Sequence, residues 1–120
     1  MDDVKSFRDL IAWKKAIELS RKIYNVTRFF PKEEIFGMTS QMKRAVVSIA
    51  SNIAEGQGRN STGEFLQFLG ISKGSLYELE TQLIISQEIG FITKETSDNL
   101  LSDCEEINRL LRGLMYSLRK

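Results

Sequence analysis

The chain has 120 residues, 42% hydrophobic and 28% charged, with a net charge of +1 at pH 7. This length predicts a single domain, residues 1–120, that is large enough to bury a hydrophobic core. The only cysteine, Cys104, excludes an intrachain disulfide, and no apolar run resembles a signal peptide or approaches the roughly 20 residues of a membrane span. We therefore expect a cytoplasmic protein that does not enter a membrane.

The first helix is predicted from about Phe7 to Phe29, because small and apolar residues recur there at helical spacing. The recurring residues are Leu10, Trp13, Ile17, Ser20, Tyr24 and Thr27, flanked by Ala16, Leu19 and Ile23. Pro31, the only proline, interrupts the pattern, since the residue before a proline disfavours the helical conformation. The second helix is predicted to begin near Thr39 or Ser40, either of which can cap it, and to end near Gln57.

The third and fourth helices are marked by capping residues at their starts. Ser61 followed by Glu64 has capping-box spacing, and the helix that follows is predicted to reach Glu88 and to be closed by Gly90. Thr93 opens the last helix, whose apolar seam is Leu100, Cys104, Ile107, Leu111, Leu114 and Leu118. Short connections between long helices predict an all-α, antiparallel up-down-up-down four-helix bundle.

Enzyme chemistry has few candidate residues in this chain. The sequence contains no histidine, which removes the commonest acid–base group at neutral pH and a common metal ligand. Cys104 lies on an apolar seam and is expected to be a buried small hydrophobe rather than a nucleophile. We therefore predict no catalytic residues, no metal, no cofactor and no enzymatic activity.

The stretch FLQFLGISKGSLYELETQ offers an alternative to a continuous third helix, a DNA-binding helix-turn-helix with its turn at Gly70. Two observations disfavour it. Bulky Leu66 stands where the two helices would touch, and the second helix would be acidic, with Lys73 as its only base. A continuous helix is expected instead, in which Gly70 and Gly74 let another helix backbone approach closely.

Three stretches together resemble a known family: FRDLIAWKKAIELSRKIY, FPKEEIFGMTSQMKRAVVSIASNIAEGQGR and EFLQFLGISKGSLYELE. They resemble the bacterial four-helix-bundle proteins encoded within intervening sequences of 23S ribosomal RNA genes, over about Phe7 to Leu118. The most specific matches are Gln41, Arg44, Ala45, Ser48, Ile49, Asn52, Ile53, Ala54, Glu55 and Gly56. Ala50 stands where many members carry proline, which suggests a straighter second helix here.

This resemblance implies more about architecture than about activity. It implies a ring-shaped homo-oligomer, a homopentamer, built from four-helix bundles. The family is also similar to the accessory variability determinant proteins of diversity-generating retroelements, which are basic pentamers that partner a reverse transcriptase and bind nucleic acid.

A line of polar residues in the second helix raises a separate question. Ser48, Asn52, Glu55 and Arg59 are spaced four, three and four residues apart, the spacing of a helix–helix seam. They could form a solvated face, a ligand contact or a buried hydrogen-bonded seam. Serine and asparagine are weak helix formers, so a solvated face would favour other residues. We therefore favour the buried, hydrogen-bonded seam and expect it to fix helix register or subunit pairing. Its expected partners are Arg44, Ser75, Tyr77 and Glu78.

The first helix carries the candidate binding surface. Residues 1–60 hold 11 Lys/Arg against 7 Asp/Glu, a charge of +4, whereas residues 61–120 hold 6 against 9, a charge of −3. Two adjacent lines of cations run along the first helix, Arg8, Lys15 and Lys22 on one and Lys14, Arg21 and Arg28 on the other. Such a stripe suits a polyanion such as structured RNA, although a solvated face has the same pattern. Base-specific recognition is not expected, because Phe29, Phe30 and Phe36 should seat their loop against the core.

Two functions from different classes remain open at this stage. The first is a nucleic-acid-binding accessory protein, for RNA or RNA–DNA, that uses the basic first helix. The second is an oligomeric scaffold for a protein partner, for example a reverse transcriptase, which would dock on the acidic stretch from Glu95 to Glu106.

Overall fold

The structure of the protein, a computed structural model, describes residues 6–120. Over that range the chain is all-helical, with four α-helices, two short 3-10 turns and no strand. The helices are α1 (Ile11–Thr27), α2 (Met38–Gln57), α3 (Thr62–Glu88) and α4 (Lys94–Arg119), and the 3-10 turns are Phe7–Asp9 and Lys32–Glu34. The all-α class with four helices is thereby confirmed.

The four helices surround one hydrophobic core. Helix α2 packs against α1 and, most extensively, against α3, while α4 contacts both α3 and α1. Every helix contributes side chains that are almost completely buried, among them Leu19, Ile23, Met42, Ile49, Ile53, Leu69, Leu76, Leu79, Leu83, Ile107 and Leu111. Burying apolar area of this kind is the main force that holds helices of a bundle together.

Helix α1 begins later than the sequence suggested, at Ile11 instead of Phe7. The cause is a separate capped turn before it: the Ser6 hydroxyl accepts from the Arg8 N–H at 3.0 Å, and the Asp9 carboxylate accepts from the Ser6 N–H at 3.3 Å. Leu10 then adopts an extended conformation, with ψ of 127°, which interrupts the helix. A cap five residues before the start of the main helix thus divides the predicted element in two.

Helix α2 begins one residue earlier than predicted, at Met38, and neither Thr39 nor Ser40 caps it. The N-cap position is Gly37, which has no side chain to offer. The Glu34 carboxylate serves in its place and accepts from the Met38 N–H at 2.9 Å. Since this cap comes from the preceding 3-10 turn, its spacing differs from that of the usual N-cap pattern.

The starts of α3 and α4 are as predicted. The Ser61 hydroxyl accepts from the Glu64 N–H at 3.1 Å, and the Thr93 hydroxyl accepts from the Thr96 N–H at 3.1 Å. At the end of α3, Gly90 has φ of +89°, the left-handed conformation that glycine adopts without strain. These local interactions set the start of both helices and the end of α3.

The buried face of α1 agrees only in part with the predicted one. Leu10, Ala16, Leu19, Ile23 and Thr27 are buried as predicted, whereas Ile17 and Tyr24 are exposed and Trp13 is only half-buried. Because α1 packs against both α2 and α4, its buried face is centred between them and not on the bulkiest side chains. Tyr24 lies toward α2, where the Lys43 ammonium is 4.8 Å from the centre of its ring.

Glycine serves the packing of α2 and α3 at one position. A Cβ atom at Gly56 would lie 2.7 Å from the Cβ atom of Phe68, so only glycine lets the helices approach here. At Gly70 and Gly74, by contrast, an added Cβ would meet no atom of the described chain within 4 Å beyond the adjoining residues and backbone of its own helix. Within the described chain, the expectation that these two glycines let another helix backbone approach closely is therefore wrong. Helix α3 continues through both, which excludes the helix-turn-helix interpretation.

Candidate nucleic-acid interface

The cations of α1 divide into two groups that face different surroundings. Lys22 forms an ion pair with Asp103 of α4, with Nζ and Oδ2 2.8 Å apart. Lys15 approaches Glu106 of the same helix, with Nζ and Oε2 3.9 Å apart. A phosphate that bound either lysine would have to compete with a carboxylate already in place. We infer that these two lysines mainly connect α1 to α4.

The remaining cations of α1 point away from the bundle. Lys14 and Arg21 of α1 and Arg28, its C-cap residue, are exposed, and none of their side chains has an ion-pair or hydrogen-bond partner within residues 6–120. They follow one another at steps of seven residues, so they lie on one side of the helix over about 20 Å. We call these three residues the outward cation line. Their charge remains available to a polyanion.

Arg8 lies apart from this line. It belongs to the 3-10 turn before α1 and is exposed, with its guanidinium carbon 6.0 Å from the centre of the Phe7 ring. The six predicted nucleic-acid-binding residues thus fall into three settings: two in ion pairs, three in the outward cation line and one on the turn. The carboxylates that separate them could have been suspected from the sequence, since Asp103 and Glu106 flank the apolar seam of α4.

The same ion pairs alter the acidic stretch from Glu95 to Glu106. Asp103 and Glu106 are paired with α1, and Asp98 is paired with Lys94 at 2.8 Å. Much of the negative charge expected to form a protein-docking surface is therefore compensated within the chain. This weakens the scaffold hypothesis relative to the nucleic-acid hypothesis.

Only one of the three phenylalanines near Pro31 packs against the core. This is Phe30, which is buried and whose ring centre is 5.2 Å from that of Phe91. Phe29, however, is 83% exposed and Phe36 is 95% exposed. The expectation that no exposed aromatic accompanies the cations is therefore wrong. The error arose because a run of apolar residues around a proline does not reveal which of them the loop turns inward.

The polar seam contains a compact hydrogen-bonded cluster between α2 and α3. The hydroxyl oxygens of Ser48 and Ser75 are 2.8 Å apart, and the Asn52 amide donates to both the carbonyl and the hydroxyl of Ser48, at 2.8 and 2.9 Å. All three side chains are half-buried. We call Ser48, Asn52 and Ser75 the polar cluster. Sequence reasoning missed a fully buried neighbour, Ser72, whose hydroxyl donates to the Ile49 carbonyl at 2.8 Å.

The other predicted members of the seam do not join this cluster. Glu55 and Arg59 form an exposed ion pair one turn apart, at 2.8 Å. The remaining contacts are within single helices or toward α4: Arg44 donates to Ser40, Glu78 accepts from Gln82, and Tyr77 accepts from Asn108. Only Ser75, of the four expected partners, bonds to the seam. The line that looked uniform in sequence is thus partly interface and partly surface.

Cys104 is fully buried, and its environment raises the pKa of the thiol to about 12. Desolvation is the largest cause, followed by the negative charges of Glu80, Asp103 and Glu105. At neutral pH the thiolate, which is the nucleophilic form, is therefore essentially absent. The prediction that this cysteine packs as a small hydrophobe agrees with the structure.

The described residues offer neither a preformed metal site nor a membrane span. Within residues 6–120 no group of three or more histidine, cysteine, aspartate or glutamate side chains is placed to hold a metal ion. The same residues include no helix with the length and apolar character needed to cross a membrane.

Comparison with known proteins places this all-helical chain in a family. The family model described as 23S rRNA-intervening sequence protein matches residues 8–113, and the chain belongs to this family. The resemblance found in its motifs is thereby confirmed. No match was found among curated proteins.

The fold is also similar to a solved structure. The crystal structure of a protein with unknown function from the S23 ribosomal protein family of Bacteroides thetaiotaomicron VPI-5482 matches with a TM-score of 0.81 and 28% sequence identity. The match covers 88% of this chain and 98% of that one. Family and fold therefore agree, and neither comparison names an enzymatic reaction.

Proposed function

We propose that the protein is a non-enzymatic accessory factor that binds RNA, or an RNA–DNA hybrid, through the outer surface of α1. The observation that carries this proposal is the outward cation line: three exposed positive side chains on one side of a helix, without partners among the described residues. Nucleic-acid backbones present evenly repeated negative charges, which such a line can follow. The family description, 23S rRNA-intervening sequence protein, adds support for RNA as the ligand.

The proposal includes assembly of the bundles. In it, the helices alternate in direction, up-down-up-down, and the subunits form a ring-shaped homo-oligomer of five copies. Exposed Ile17 and Val47 border an apolar groove of about 340 Å³ between α1 and α2, which supports contact between copies. A ring would repeat the outward cation line around its circumference, and several weak contacts to one RNA would then act together.

An electrophoretic gel-shift with a structured RNA, at about 50 and about 200 mM salt, tests the binding surface. Replacing Lys14, Arg21 and Arg28 by glutamine should weaken binding at the lower salt by about tenfold or more, because glutamine cannot neutralise a phosphate. The matched control replaces Lys15 and Lys22 by glutamine, which removes cations already paired with α4. The control should retain most of the binding.

Two results would contradict the proposal. If no RNA is shifted at the lower salt concentration, the protein does not bind nucleic acid as proposed. If binding is weakened equally in the two variants, the outward cation line is not the binding site. Light scattering tests the assembly separately. Five copies of 13.7 kDa predict about 68 kDa, whereas a mass near that of one copy would reject the ring.

A further inference from the structure

A groove of about 530 Å³ lies between the last turns of α1 and the first turns of α4. Its apolar lining includes Val26 and Leu100, and the ion pair of Lys22 and Asp103 borders it. This volume is within the range of about 300–1,000 Å³ that small-molecule sites occupy. The paired charges leave the groove itself suited to a flat, uncharged group.

An exposed aromatic ring lines this groove. Phe29 is 83% exposed, and its ring makes no aromatic or cationic contact within the described chain. Phe30, the next residue, is buried against Phe91, which anchors the backbone that carries Phe29. An exposed ring on an anchored backbone is a stacking surface, and every nucleobase has a face that can stack on it.

Two side-chain amides line the same groove. Asn25 of α1 and Asn99 of α4 are exposed, and neither side-chain amide has a hydrogen-bond partner within residues 6–120. A carboxamide offers a donor and an acceptor side by side, the pattern that matches the edge of a nucleobase. Such edges are accessible only where the base is unpaired.

The nearest members of the outward cation line lie beside the groove. Arg21 precedes Asn25 by four residues and Arg28 follows it by three, so all three are neighbours on the surface of α1. The cations beside the groove suit the negatively charged phosphate of a nucleotide, and the neutral polar groups that line the groove suit its uncharged base. The phosphate would contact an arginine while the base enters the groove.

We propose that this groove binds an unpaired nucleotide of single-stranded RNA, with its base stacked on Phe29 and its edge bonded to Asn25 or Asn99. The inference rests on the proposed nucleic-acid function and adds to it a preference for unpaired segments. The outward cation line alone would bind paired and unpaired strands alike, since it contacts only phosphates.

Fluorescence anisotropy with a labelled single-stranded RNA and with the matching RNA duplex tests this preference. Phe29→Ala should weaken binding of the single strand by about tenfold and leave duplex binding unchanged, because only an unpaired base can stack. Phe36→Ala is the matched control, since Phe36 is even more exposed but lines a different groove, between α2 and α3. It should change neither affinity.

A second measurement probes the groove without a long polyanion. Adenosine monophosphate, titrated into the ¹⁵N-labelled protein, should shift the side-chain amide resonances of Asn25 and Asn99, and Phe29→Ala should abolish the shifts. If these shifts occur but neither RNA binds, the groove is a nucleotide site while the proposed function fails.

The remaining outcomes are equally distinct. Equal effects of Phe29→Ala on single strand and duplex, or no effect on either, would overturn the groove and leave the cation surface standing. A fall in oligomer mass on Phe29→Ala, measured by light scattering, would show that a second copy occupies the groove and would also overturn the inference. No binding of either RNA together with unshifted amides would remove both proposals.

Discussion

The contact between α2 and α3 and the outer face of α1 are both rich in polar residues at helical spacing, yet they differ in what those residues touch. In the polar cluster, Ser48, Asn52 and Ser75 bond to one another across two helices. On α1, Arg21 and Arg28 extend into solvent without a partner in the described chain. Polar groups that satisfy one another stabilise the fold, whereas unpaired charges remain available for binding.

The same contrast occurs between adjacent residues of one helix. Lys22 is held by Asp103, while Arg21 next to it is free of such an ion pair within residues 6–120. One step along a helix turns a side chain by about 100°, enough to move a cation from an interhelix pair to open solvent. Whether a cation is paired or available for binding can therefore be decided only when the position of the neighbouring helix is known.

The largest effect is expected where α2 and α3 approach most closely. Gly56→Ala should lower the free energy of unfolding by about 1–3 kcal/mol, because the new Cβ would lie 2.7 Å from that of Phe68. Gly70→Ala is the control: no other helix of the described chain lies near its Cβ position, and removing a glycine from a helix should raise stability by about 0.5–1 kcal/mol. Urea denaturation measures both. A Gly56→Ala protein as stable as the wild type would contradict the close approach.

The polar cluster comes next in expected size. Asn52→Ala should destabilise the fold by about 1–2 kcal/mol, since it removes two hydrogen bonds and leaves Ser48 less well satisfied. Glu55→Ala, in the same line of the sequence, breaks only an exposed ion pair and should change stability by less than about 0.5 kcal/mol. Equal destabilisation of both variants in thermal denaturation would mean that the line acts as one unit.

A smaller difference should separate the neighbouring cations of α1. Lys22→Glu places a carboxylate beside Asp103, and we expect the free energy of unfolding to fall by up to about 1 kcal/mol at low salt. Arg21→Glu should have almost no effect on stability, because it breaks no ion pair or hydrogen bond in the described chain. If the melting temperatures of the two variants fall by the same amount, the distinction between paired and outward cations is wrong.

The smallest effect concerns the contact between α3 and α4 and depends on pH. Partial burial, and to a lesser degree the charge of Glu105, raise the pKa of Glu80 in the folded protein. The folded state therefore keeps this proton at higher pH than the unfolded chain does, and stability falls as pH rises from the ordinary pKa of glutamate through the raised value.

Glu80→Gln removes that dependence. It should raise the stability measured at neutral pH slightly, and the gain should shrink near pH 4, where the glutamate is largely protonated. Glu88→Gln, exposed at the end of the same helix, serves as the control. A gain that grows on acidification would reverse the sign of the proposed effect.

Features that depend on residues close together in the sequence were predicted correctly, such as the starts of α3 and α4. Ser61 and Thr93 cap their helices through backbone groups only three residues away, so their patterns were sufficient. Contacts made by a residue of another helix or turn were not predicted. Glu34 caps α2 from another turn, and Asp103 pairs with a lysine 81 residues earlier.

Side-chain exposure showed the same limit. The stripe predicted for α1 included Ala16, Leu19 and Ile23, which are buried, but it also included Ile17 and Tyr24, which packing against two helices leaves exposed. Phe29 and Phe36 were expected to be inside, yet the loop turns only Phe30 inward. The cations of α1 were identified correctly as surface residues, while their division into two groups required the position of α4.

The salt dependence of RNA binding tests the central claim most directly. The logarithm of the association constant should fall linearly with the logarithm of salt concentration, and each neutralised phosphate contributes about 0.9 to the slope on a duplex. Replacing Arg21 and Arg28 by glutamine should make the slope shallower by nearly that amount for each phosphate that is no longer neutralised, while replacing Lys15 and Lys22 should leave it unchanged. Identical slopes in all three proteins would show that the outward cations of α1 do not hold the nucleic acid.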